Sequence, residues 1–537
     1  MKWQNKQQLE DLLCEIVSWN SRTGTDGEIA FSANIKDKLL ELDYFQKHQD
    51  HIQFHNAGKG RNAVTALYKK ENVKKTVVLI SHFDTVHTEE FGALGNLAFW
   101  PQHLTKRFKE MIDTLPESAR ADVASDEYLF GRGTMDMKMG LVLHMHLLEL
   151  ASKDDWPINL ILLTVPDEEV GSSGMLAAVN GLVDIREQFD LEYSLFLNSE
   201  PSFSMHPQDE QYYIYSGTIG KIMPSALFYG RETHAGEPLN GMNAHYMASF
   251  LTKKMEYNSE FVEEVYGERT PLPITLKNYD LKSDYSTQTS NHVAALFNVF
   301  LMKQNATDIM TTFRKVALDA MSECQSEYEA ICERENIELN FKLKVLDYQE
   351  LFSYAQNKLG KEKVEEIKQK AISRTDLDER EVSFEICDQM MAQCQELAPA
   401  TILFYAPPYY PAINSTEDPL VQETIDMTKQ VLQDEFGVTA KQVHFFNGIS
   451  DLSYVNYDKH DDDWKAYQNN TPVWNYLYTI PFEQMQILQA PVLNIGPFGK
   501  DAHKLTERLH KTSAFVQTPF ILKKVLESMF EKSYMVK

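Results

Sequence analysis

Residues 159–174 read NLILLTVPDEEVGSSG, an apolar run that stops at a proline and gives way to three acids and a glycine–serine turn. The run from Leu160 to Val165 does not alternate, so a strand here is buried on both faces, as in a parallel sheet covered by helices. TVVLI (76–80) and SLFLN (194–198) have the same character, and MKMGLVLHMHLLELA (137–151) is helical. Strands alternating with helices predict an α/β class with a mostly parallel sheet. In such sheets the chemistry collects beyond the carboxyl ends of the strands. Polar residues follow each run there: SHFD, PDEE and SEP.

Outward from this centre, Leu9, Leu12, Leu13, Ile16 and Val17 predict an opening amphipathic helix. From Tyr212 the pattern changes. YYIYSGTIGKIMPSALFYG (212–230), NHVAALFNVFLM (291–302), a helix around residues 309–320 and the alternating ELNFKLKVL (338–346) predict a smaller α+β, ferredoxin-like unit inserted in the larger domain. The expected division is 1–211 and 348–537 for the catalytic domain and 212–347 for the insert. TILFYAPP (401–408) and PVLNIGPFG (491–499) are assigned to the main sheet. The charged helical stretch 349–399 carries no recognisable chemistry.

With 537 residues the chain is too long for one core. A formal net charge of -26 argues against nucleic acid or an anionic membrane as partner. The charged N-terminus lacks the apolar core of a signal peptide, and no run is long enough to span a membrane. Five cysteines without a CxxC pair point to a reduced, cytoplasmic setting and no thiolate metal site.

His82 and Asp84 stand two apart at a strand end, Asp136 follows the glycine-rich turn of GRGTMDMK, Glu200 ends the third run, and His503 follows a Gly-Pro turn. Each alone has a bland reading as a core histidine or a helix-start acid. Together they are the ligand inventory of a divalent metal pair, which needs a bridging carboxylate and a separate base.

Six ordered motifs, SHFDTV, GRGTMDMK, VPDEEVGSSG, NSEP, GRETHAGEP and KDAHKLTER, resemble the co-catalytic zinc amidohydrolases that include aminoacylase, acetylornithine deacetylase, succinyl-diaminopimelate desuccinylase and carboxypeptidase G. The resemblance implies that Asp136 bridges two Zn2+, with His82 and Glu200 on one and Glu169 and His503 on the other. It implies Asp84 as the group that orients the His82 ring and Glu168 as general base. Mn2+ or Co2+ would suit so carboxylate-rich a site as well. His234 in GRETHAGEP would steady the oxyanion across a homodimer interface formed by the inserted domain. Asp167 reads as a turn or cap acid.

Three features depart from the family pattern. The spacer between His82 and Asp136 (54 positions, 136 minus 82) is long, and its Phe91, Phe99 and Trp100 either line a pocket or pack onto the main domain. Lys303 or Gln304, and Ser453, stand where carboxylate-binding arginines are usual, while Asp451 survives. Met139 replaces a glycine. The spacer, the GISDLSY loop and the added helices resemble the RocB-like arginine-utilisation subgroup. The expected function is hydrolysis of a C–N amide or peptide bond in a small amino-acid-derived molecule. The alternative is a non-catalytic metal-binding or regulatory protein of the same fold.

Overall fold

A computed structural model describes residues 1–204, 206, 209, 211–282, 284–457 and 461–532. The chain divides into two compact units. Met1–Thr218, Ile413–Tyr457 and Pro481–Lys537 form the first, Ile219–Ala412 and Asp458–Ile480 the second.

The first unit is built on an eight-stranded sheet in the order Ile52–Asn56, Asn62–Tyr68, Asn159–Val165, Lys75–His82, Glu192–Asn198, Val492–Asn494, Tyr212–Tyr215, Ala440–Val443. Its centre, from 159–165 to 492–494, is parallel, and antiparallel pairs flank it. Every residue of Asn159–Val165 is buried. Each fully buried leucine there contributes about 1.5–3 kcal/mol, and Leu162→Ala would cost about 2–5 kcal/mol. Helix Met139–Asp154 is buried on all sides from Met139 to Ala151, between the sheet and helices Lys6–Ser18 and Thr518–Lys532, as its apolar circumference requires. A smaller sheet orders Tyr128–Phe130, Arg508–His510, Phe498–Lys500 and Ser202–Phe203.

The second unit has a five-stranded sheet, Ile274–Asp280, His292–Leu301, Gly220–Tyr229, Ala400–Tyr410 and Lys344–Asp347, antiparallel except for its last pair. Helices Ala244–Met255 and Ala306–Arg334 pack on it.

The expected domain boundaries move. Tyr212–Tyr215 pairs with Ala440–Val443 and belongs to the first unit. Ala400–Tyr410, expected in the main sheet, pairs with Gly220–Tyr229 in the second. Helices Tyr348–Leu359, Lys361–Ile372 and Glu379–Gln393 lie in the second unit too, so the insert runs past 347 to 412. An apolar run shows that a strand is buried without showing which sheet buries it. ELNFKLKVL is hydrogen-bonded as a strand only from Lys344. Among the described residues no helix is long and apolar enough to cross a membrane.

Candidate metal centre

Three neighbouring parallel strands end at one edge of the main sheet. His82 closes its strand opposite Val165, and Ile80 lies opposite Asn198, so the turns carrying Glu168–Glu169 and Glu200 emerge on either side of His82, each about 4.8 Å away by strand spacing. Asp136 stands between strand Tyr128–Phe130 and helix Met139–Asp154, next to a cis peptide bond to Met137. The turn before it needs glycine: Gly133 has φ 77°, and a Cβ there would meet Thr85 Cγ2 at 2.8 Å. His503 occupies the tip of the hairpin Phe498–Lys500/Arg508–His510.

These five residues, separate in sequence, form two groups that share Asp136: His82, Asp136 and Glu200, and Asp136, Glu169 and His503. His82 Nε2 lies 3.2 Å from Asp136 Oδ1 and 3.5 Å from Glu200 Oε1. His503 Nε2 lies 3.1 Å from Asp136 Oδ2 and 3.2 Å from Glu169 Oε1. Donors bound at about 2.0–2.2 Å to one tetrahedral ion stand about 3.3–3.6 Å apart, and the observed spacings of 3.1–3.5 Å lie at or just below that range, so a small adjustment would admit a cation in each group. His82 Nδ1 lies 3.1 Å from the Asp84 carbonyl oxygen. A carbonyl only accepts, so Nδ1 carries a proton, and Nε2, which faces the carboxylates, is the nitrogen that a cation would take once its proton is displaced.

The electrostatics fit the same occupants. Burial, with Asp451 and Glu200 nearby, pushes the Glu168 carboxyl well above its usual range, and burial and the Asp136 charge do the same to Glu200. Against burial, hydrogen bonds to His503 and His82 draw Asp136 down. His503, bonded to Asp136 and Glu169, is raised to about 11. So many buried acids around two imidazoles leave a surplus of negative charge that divalent cations would neutralise.

The supporting shell differs from expectation in one respect. The ring of His82 is oriented by the Asp84 carbonyl, with the carboxylate farther off at 3.5 Å. That carboxylate holds the Glu168–Glu169 turn instead, accepting from Glu168 N at 3.0 Å, Glu169 N at 3.4 Å and Thr23 Oγ1 at 2.8 Å. Asp167 has φ 66° and caps the helix Ser173–Gln188 through Ser173 N. It also meets Arg61 at 2.6 Å, a buried partner that no motif signalled. Arg61 reaches Glu28 at 3.5 Å behind it. A Cβ on Gly140 or Gly496 would meet Ser199 O at 2.8 Å or Glu200 O at 2.1 Å, so both glycines admit the Glu200 backbone. Met139 is buried without such a constraint.

His234 lies in the second unit, exposed, outside both ligand groups, with Nδ1 accepting from Gly236 N at 3.0 Å. Phe91 and Phe99 join the core of the first unit, so the spacer packs onto the main domain there, while Trp100 stays 51% exposed. The backbone amides of Lys303 and Gln304 bond the Glu263 carboxylate. Asp451 and Ser453 are buried in the first unit.

A sequence profile of peptidase family M20/M25/M40 matches residues 112–462. The chain is 39% identical to the uncharacterized protein YqjN of Bacillus subtilis, over 99% of this chain and 98% of that one. It is 29% identical to Protein RocB of the same organism, over 96% and 94%. The fold resembles that of an M20 family metallo-carboxypeptidase from Sulfolobus solfataricus, with a TM-score of 0.54 and 11% identity over 97% of this chain and 98% of that one. A tripeptidase from Staphylococcus aureus gives 0.52 and 14% over 98% and 100%.

Proposed function

The chain belongs to peptidase family M20/M25/M40, and from that premise we propose that it hydrolyses a C–N amide or peptide bond of a small amino-acid-derived substrate. His82, Asp136 and Glu200 would hold one Zn2+, and Asp136, Glu169 and His503 the other, with Mn2+ or Co2+ as possible occupants. The observation that carries the reading is the pair of ligand groups sharing Asp136, with Glu168 beside them, 4.0 Å from His82 Nε2, and in neither.

Bound divalent cations supply a water of lowered pKa and a polarised carbonyl. Glu168 takes the proton of the attacking water. As the new C–O bond forms and the C–N bond breaks, Glu168 returns that proton to the departing nitrogen. Asp84 keeps the Glu168–Glu169 turn in register through both backbone amides. The resemblance to RocB-like proteins supports a substrate in arginine or related amino-acid metabolism. The five free cysteines suit a reduced cytoplasm. The reading includes a homodimer paired through the second unit, with His234 of the partner subunit at the oxyanion; a monomer in sedimentation equilibrium would remove that part.

The test uses N-acyl amino acids and dipeptides as substrates, with metal analysis in parallel. Glu168→Gln is expected to keep two equivalents of metal and lose about 10²–10⁴-fold in kcat. Turnover within tenfold of the unmodified protein would reject Glu168 as the base.

A further inference from the structure

The spacer 88–125 reaches the hairpin that presents His503 at two places. From its helix Glu117–Ser125, Asp122 Oδ2 accepts from Arg508 Nε at 2.7 Å and from Lys500 Nζ at 3.2 Å. Lys500 and Arg508 face each other across the hairpin, so one carboxylate grips both stems of the His503 loop. Arg508 carries the constraint inward. It donates to Thr506 O at 3.0 Å, to Ser118 O at 3.1 Å and to the Asp501 carboxylate, which also accepts from Thr506 Oγ1 at 2.8 Å. On the other flank Glu90 pairs with Arg132, which pairs with Glu507, and Glu507 Oε1 accepts from Gly133 N at 2.7 Å, three residues before Asp136.

The loop is tightly turned: Asp501 and His503 have φ 60° and 65°, in the left-handed region that few residues other than glycine occupy, Asp and His more readily than most. The guanidinium of Arg508 is 2% exposed and the Asp122 carboxylate 13%, so their charge-assisted bond is shielded from water and salt.

We infer that the spacer is a brace that fixes His503, with Asp122 as a positioning residue, so that affinity at the Asp136–Glu169–His503 cation position depends on a segment outside the ligand set. The inference rests on the two-cation reading above. Metal-stripped full-length protein is titrated with Co2+, followed by calorimetry and visible absorption. The unmodified protein takes up two equivalents. Asp122→Asn keeps one unchanged and binds the other about 10–100-fold more weakly, and the absorption it loses matches the band removed by His503→Ala. Circular dichroism establishes the fold of each variant, and Asp122→Ser replaces a variant that fails to fold. Unchanged affinity for both equivalents in a folded variant, or equal weakening of both, overturns the brace. Fewer than two equivalents on the unmodified protein overturns the two-cation reading, and the brace with it.

Discussion

The two units treat charge in opposite ways. The first buries Glu28, Asp84, Asp136, Asp167, Glu200, Asp451 and Glu507, together with Arg61, Arg132 and Arg508. In the second, among the described residues, Lys368 is the one buried charged side chain, its ammonium 4.3 Å from the centre of the Tyr476 ring. A buried charge costs several kcal/mol unless it is paired or coordinates a cation. The first unit carries that cost at the ends of its strands. The second has a largely hydrophobic core, and apart from Lys368 its described charged side chains are partly or fully exposed. The proposed chemistry thus lies in the unit that buries these charges.

The most severe way to break the contrast is Asp136→Asn. It removes the carboxylate common to both ligand groups, and the expected result is loss of both metal equivalents and of turnover, read by elemental analysis and initial rates. Full metal retention would mean that the groups do not share a bridge.

Arg61→Ala comes next. It leaves Asp167 and Glu28 buried without their cation, and removing one partner of a buried pair costs about 3–5 kcal/mol. Denaturant unfolding measures that loss, and kcat should fall with metal content intact because Asp167 opens the Glu168–Glu169 turn. Unchanged stability would show that the network is dispensable.

The smallest effect sharpens the contrast from the other side. In the second unit His292 Nδ1 meets Asp388 Oδ1 at 2.7 Å, and that hydrogen bond, against burial, raises the imidazole pKa above 6.5. The folded pKa lies above the unfolded one, so the stabilisation is fully present below about pH 6.5 and is lost as pH rises through the folded value. Asp388→Asn should lower Tm at pH 5.5, by an amount equivalent to about 1 kcal/mol or less, with no difference at pH 9 and unchanged metal content. A change in metal content would deny the second unit its independence from the centre.

Much of this was readable in the sequence, for reasons that differ by element. Non-alternating runs at 76–80, 159–165 and 194–198 marked the parallel centre because burial on both faces leaves no polar positions. Ligand types at strand ends marked the candidate site because few residues can hold a cation. Ala400–Tyr410 was assigned to the wrong sheet because its burial pattern suits either. Arg61 was invisible because a lone arginine in GKGRNA has no spacing that ties it to Asp167, 106 positions away. The signal available was Asp167 itself, an acid left without a role inside an otherwise assigned motif. Asp122 was hidden likewise, 386 positions from Arg508.

The position of His503 has a consequence for how the centre is made. Four of the five proposed ligands lie within the first 200 residues, and the fifth arrives after the whole second unit has been threaded through the chain. Synthesis runs from the N-terminus at about 5–20 residues per second, so the ribosome exposes a four-ligand precursor for about 15–60 seconds before the last histidine is made. During that interval the first unit also lacks strand Val492–Asn494, the final hairpin and helix Thr518–Lys532, against which the strand ending at Asn198, the strand Tyr128–Phe130 and the helix Met139–Asp154 pack. The proposed centre is therefore completed only by the last residues made, and a messenger truncated before the final hairpin is expected to yield a chain with neither cation position formed.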